Sequence, residues 1–123
     1  MSHSSSSSSL ASSTDALIEL AKARRSYYGL GKKSPVPDSE LIKFIEQAIL
    51  HTPSAFNTQS NRVVVALGAD HEKVWDITIE AMEELVKAGA VPQELYDTQT
   101  KPKLESFKAA YGTVSFRILL DVK

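Results

Sequence analysis

The chain has 123 residues, 42% of them apolar and 24% charged, with a formal net charge of −1, enough for one small domain and too little for several. So balanced a charge supplies no basic field to attract a polyanion. The absence of cysteine excludes disulfides, zinc–thiolate centres, iron–sulfur clusters and a thiol nucleophile, and the longest apolar runs, Val63 to Leu67 and Ile118 to Leu120, fall far short of the ~20 residues of a membrane-spanning helix.

Nine of the first thirteen residues are serine, and none is Asp, Glu, Lys or Arg. Such a stretch buries too little apolar surface to offset the entropy of ordering it, so residues 1–13 are expected to be a disordered tail and the folded unit to occupy 14–123. The tail has the serine richness of a transit peptide, but no arginine precedes Arg24 and no signal-peptide core is present. Leu17, Ile18 and Ala21 then predict a helix capped by Thr14 or Asp15 and ending near Arg24 to Ser26. Gly29, Gly31, Pro35 and Pro37 make the next stretch a loop.

Asp38 is expected as the N-cap of a second helix that ends near His51 and buries Leu41, Ile42, Ile45, Ala48 and Ile49. A polar loop leads into Val63 to Leu67, where three consecutive valines suit a strand covered on both faces. Asp70 opens a third helix with Trp75, Ile79, Met82 and Val86 aligned, and Gly89 is placed to end it. Pro92 to Pro102 reads as irregular or briefly helical, Leu104 to Tyr111 as a helix end, and Gly112 to Leu120 as a second strand. Helices and strands mix without strict alternation, which predicts an α+β fold.

Two clusters carry candidate chemistry. Arg24, Arg25 and Ser26 put two guanidinium forks and a hydroxyl at a helix end, a set able to converge on a phosphate monoester. The alternative is that the arginines complement the negative end of the helix dipole, and spacing alone favours that. Ser54, Asn57 and Gln59 lie within six residues. Their carboxamides offer donors and acceptors to a planar heterocycle whose edge alternates C=O and N–H, a flavin's pyrimidine ring being one example. The alternative is an Asx-turn in which Asn57 satisfies its own backbone. Gly29-x-Gly31-Lys32-Lys33-Ser34 lacks the glycine spacing of a phosphate loop, and Trp75 stands where a zinc-protease motif starting at His71 needs its second histidine. No metal site is expected.

Arg24-Arg25-Ser26 after a first helix, then Pro53 to Gln59 leading into a valine-rich strand, resembles the flavin-dependent nitroreductase family. The wording is most similar to its fungal fatty-acid-repression-mutant branch. Arg24 to Tyr28, Pro53 to Ser60 with Arg62 to Val65, His71 to Asp76 and Phe107 to Val114 fall in register. The resemblance implies a dimeric α+β fold that holds FMN at the subunit interface. Hydride would pass from NAD(P)H through the flavin to nitroaromatics or quinones, in a role tied to oxidative stress. Arg24 and Ser26 would hold the phosphate, with Arg25 beside it and the ring system. Tyr28 and Gln59 would lie near the ring, and Ser54 and Asn57 would reach it from the other subunit. No catalytic side chain is expected, because the cofactor carries the reaction.

This chain departs from the family pattern in three places. Tyr28 stands where many members have a basic residue, and Ser60-Asn61 where they have Pro-Trp. The likeness ends near Val114, which predicts a truncated domain on an incomplete sheet, weakly active or inactive. The alternative is a non-catalytic half-domain that binds and modulates a full-length relative. The expected location is the cytoplasm, with nuclear access for so small a chain.

Overall fold

The computed structural model describes the backbone of residues 4–119 and the side chains of 12–119. Helix α1 spans Ser4–Ala23, α2 Asp38–His51, strand β1 Asn61–Leu67 and α3 Gly68–Lys87. The short α4 (Gln93–Leu95) continues through a π-helical turn at Tyr96–Thr100 into α5 (Lys101–Lys108), and β2 covers Gly112–Ile118. The fold is α+β. Among the described residues no helix is long and apolar enough to cross a membrane.

The two strands pair antiparallel, with Asn61 opposite Ile118, Val64 opposite Ser115 and Leu67 opposite Gly112. Residues directly opposite each other share a face, so Ala66 and Thr113 look to one side and Val65 and Val114 to the other. Helix α3 lies on the first side, where Trp75 Nε1 and His71 both bond the Thr113 hydroxyl. Leu41 of α2 and the loop from Tyr27 to Pro35 border the second side, around an apolar groove of about 540 Å³. The strand expected to be covered on both faces is only half covered: Val63 and Val65 are half-buried, while Val64 is 48% exposed. Packing on the Val64 side stops short, because α3 reaches only the Ala66 end of the ladder.

Helix α3 follows its sequence pattern. Trp75, Ile79, Met82 and Val86 are all half-buried along one stripe. Gly89 ends the helix with a left-handed φ of 77°, its N–H on the Val86 carbonyl and the Ala90 N–H on that of Leu85, the two bonds of a Schellman cap. Trp75 meets Phe107 of α5 with ring centroids 5.2 Å apart, and Lys108 pairs with Asp76 at 2.5 Å. Tyr96, 3% exposed, donates to Glu83 at 3.1 Å from the π-helical turn. Burial, and then the Glu83 carboxylate, push the Tyr96 hydroxyl above its usual range.

His71 is the most deeply buried polar side chain described, at 1% exposure. Its Nε2 lies 3.0 Å from the Lys108 carbonyl, which can only accept, so Nε2 carries a proton. In the neutral ring Nδ1 then accepts from the Thr113 hydroxyl at 2.7 Å, while that oxygen accepts from Trp75 Nε1 at 2.9 Å. Three elements are tied through one ring.

The N-terminal part is organised differently. Helix α1 begins ten residues before the expected start near Thr14, and every residue from 12 to 33 is exposed. Its backbone bonds are local, so neither a core nor an apolar run is needed to form them. Helix α2 is capped one residue earlier than expected: Pro37, held at φ −68° and ψ 157°, is the N-cap, and its carbonyl accepts from Glu40 and Leu41 N–H. Asp38 sits instead in the first turn and takes a hydrogen bond from the Tyr111 hydroxyl, which it pushes above its usual range. Of the predicted α2 stripe, Leu41, Ile45 and Ile49 are half-buried; Ile42 and Ala48 are exposed.

Candidate functional site

The loop before β1 is bent by its own backbone. Phe56, Asn57 and Gln59 take left-handed φ values of 53°, 54° and 50°, a conformation that costs a non-glycine residue roughly 1–2 kcal/mol. Internal hydrogen bonds hold it there. The Asn57 N–H donates to the Ser54 carbonyl at 3.0 Å, the Gln59 N–H to Ser54 Oγ at 3.0 Å, and Gln59 Nε2 to Asn57 Oδ1 at 3.1 Å. Arg62 Nη1 closes the loop by donating to the carbonyls of Gln59 at 3.0 Å and Asn61 at 2.9 Å.

Ser54, Asn57 and Gln59 therefore share one cleft of about 520 Å³, whose wall also includes Leu50, His51 and Arg62. Asn57 does not make the Asx-turn; its side chain bonds Gln59 instead. The two amides use one donor and one acceptor on each other. Whichever way they are assigned, one NH₂ and one C=O remain without a protein partner among the described residues. The outward edge can both donate and accept. No carboxylate lines this cleft.

The second cluster lies just past the end of α1. Arg24 Nη1 reaches Ser26 Oγ at 3.4 Å, so these two side chains are neighbours. Arg25 Nη1 turns back onto the carbonyls of Lys22 at 2.5 Å and Arg24 at 2.8 Å, the dipole-complementing arrangement that was the alternative for this motif. Tyr28 is 79% exposed. Neither Arg24 to Ser26 nor Tyr28 lines the Ser54–Gln59 cleft or the apolar groove bordered by Tyr27 and Leu41. Within one chain, each cluster is assembled and the two are not joined.

Sequence reasoning missed Phe56, whose ring is fully exposed on the strained loop, and Arg62, which fixes that loop from the strand side. The signal for Arg62 was its position at the loop–strand junction. Nothing in the sequence marks Phe56; only the backbone turn shows that its ring points out.

The same two stretches lie within the matched region of a known family. The sequence model of the nitroreductase family matches residues 21–117, and the chain belongs to that family. It is 35% identical over 68 residues to the nitroreductase-like yeast protein HBN1 of Saccharomyces cerevisiae, covering 54% of this chain and 35% of HBN1. To the yeast nitroreductase FRM2 it is 30% identical over 96 residues, covering 76% of this chain and 43% of FRM2. Nitroreductase CinD from Lactococcus lactis, solved with nicotinic acid, superposes with a TM-score of 0.61 at 32% identity over 81% of this chain and 47% of CinD. A crystal structure of a nitroreductase from Saccharomyces cerevisiae shares the fold, with a TM-score of 0.61 at 24% identity over 85% of this chain and 53% of that one. The chain thus spans about two fifths of the curated relatives' length and about half of the solved structures'.

Proposed function

We propose that this chain supplies flavin-binding residues to an NAD(P)H-dependent oxidoreductase of the nitroreductase type, acting on nitroaromatics or quinones. The observation that carries this reading is the Ser54–Asn57–Gln59 cluster, which turns one free donor and one free acceptor outward from a cleft without acids. That donor set fits the pyrimidine edge of FMN, and Arg24 and Ser26, close to each other in the separate second cluster, fit its phosphate. Family membership over 21–117 supports the same assignment.

When bound, FMN supplies the redox chemistry, accepting hydride from a nicotinamide and passing electrons to the acceptor. The chain's own residues bind and orient. Arg24 neutralises phosphate charge, with Ser26 as a second donor; Arg25 steadies the end of α1; Asn57 and Gln59 read the ring edge, and Arg62 keeps their loop from relaxing. Because the two clusters line no common cleft in one chain, the reading needs a second copy or a full-length relative to bring Arg24 against Ser54 and Asn57.

The test is to purify the chain and titrate it with FMN. Saturable binding is expected, with R24A weakening it by more than about tenfold, one charge-assisted contact, and N57A by a smaller factor. Unchanged affinity in both variants removes these residues from the site. The large exposed apolar surface, including Phe44, Phe56, Phe116 and Ile118 at 67% exposure or more, supports a second reading, a non-catalytic half-domain that docks on a full-length relative. A colourless protein that binds that relative and changes its flavin content selects the second reading.

A further inference from the structure

The open end of the sheet carries two like charges face to face. The register sets Arg62 directly opposite Arg117. The Leu119 N–H donates to the Ser60 carbonyl at 3.0 Å, so Ser60 and Leu119 form a hydrogen-bonded pair, and by the alternation of an antiparallel ladder Arg62 and Arg117 form the next one. Their Cα atoms are then about 5.5 Å apart with both side chains on one face. Both are exposed, and neither makes an ion pair with a described residue. Like charges placed directly across a ladder destabilise it.

Arg62 also stands on the wall of the Ser54–Gln59 cleft, where no acid offsets it. Only its Nη1 is engaged, by the carbonyls of Gln59 and Asn61. That contact steadies the guanidinium and leaves its remaining N–H groups without a protein partner among the described residues. We propose that Arg62 and Arg117 form an anion subsite for a phosphate group at the rim of this cleft, separate from the Arg24–Ser26 cluster. Two guanidinium forks match the oxygens of a phosphate, and the ion would relieve the cross-strand repulsion. The source is either free phosphate or the phosphate of a nucleotide. The subsite does not depend on the flavin reading, since inorganic phosphate alone tests it.

The experiment is calorimetric titration of the full chain with inorganic phosphate and with adenosine 5′-monophosphate, at constant ionic strength, alongside thermal melts. Saturable phosphate binding is expected, weakened about tenfold or more by R117Q and less by R117K, which keeps the charge and loses the fork. K73Q, which removes an exposed charge from α3 outside the cleft, should leave affinity within about twofold. R117Q should melt no lower than the parent chain in chloride, because a repulsion is gone. Tighter binding of the nucleotide than of phosphate, lost in R117Q, identifies a nucleotide as the source; equal Arg117-dependent affinities identify free phosphate. The proposal is overturned if neither probe binds saturably, if R117Q binds as the parent does, or if binding survives R117Q and disappears in R24A.

Discussion

The two ends of this chain are built on different terms. From β1 onward, α3, α5 and β2 enclose His71, Ala66, Tyr96 and Ala110, and polar groups in that interior find partners: His71 on Thr113 and the Lys108 carbonyl, Trp75 on Thr113, Tyr96 on Glu83. Before β1, every residue from 12 to 33 is exposed, with Leu17 and Leu20 at 68% and 70%. The first region completes its own hydrogen bonds around a small interior, although β2 still exposes Phe116 and Ile118; the second has no buried residue between 12 and 33. The two flavin-site clusters lie before β1, and Arg62 and Arg117 stand at the exposed, open end of the β1–β2 ladder, away from that buried interior.

Substitutions of similar chemistry should therefore cost very different amounts in the two regions. The largest effect is expected for W75A, which removes the Phe107 contact and the donor to Thr113; for a half-buried tryptophan the loss should be about 3 kcal/mol, read from urea unfolding. H71A should follow at roughly 2 kcal/mol, because it leaves the Lys108 carbonyl and the Thr113 hydroxyl short of a partner in a buried place. An effect of H71A no greater than that of a surface substitution would show that the three-element tie does not form in solution.

A third expectation concerns alkaline pH. Tyr96 and Tyr111 both have hydroxyls raised above the ordinary tyrosine value of 10.0, the first chiefly by burial and the second by Asp38. The folded state therefore holds these protons more tightly than the unfolded chain. Their contribution to stability is complete below about pH 10 and is lost as pH rises through the folded values. Urea midpoints should fall above pH 10, and less steeply in Y96F. The smallest effect is expected in α1. L20S should change the stability of the chain alone by less than about 0.5 kcal/mol, and a larger loss appearing only when a full-length relative is present would identify α1 as part of the docking surface.

Much of the completed region was legible in advance. The Trp75, Ile79, Met82, Val86 stripe and the Gly89 stop depend on spacing within one helix, and both strands were located, β1 from its valines. Less legible was anything decided by neighbours far along the chain. Asp38 looked like a cap because its type and position suited one, yet Pro37 already supplied the extended backbone and Asp38 was left for Tyr111, 73 residues away. His71 was set aside as a metal ligand because Trp75 stands where a second histidine would be; its role comes from Thr113 and Lys108. The candidate site divides in the same way. Arg24 with Ser26, and Ser54 with Asn57 and Gln59, are local clusters and could be named from the sequence. The outward turn of Phe56 and the pairing of Arg62 with Arg117 could not.

By itself the sequence determined the helix stripe of α3 and the two polar clusters, each set by residues within a few turns of one another, and the α+β class and the family, which rest on the order of such local segments along the chain. Tertiary structure alone decided that His71 joins three elements, that two arginines 55 positions apart become cross-strand neighbours, and that the two clusters stay apart within one chain. Those outcomes follow from strand register and helix docking, which sum weak contacts over long sequence separations and leave no local mark on the residues that make them.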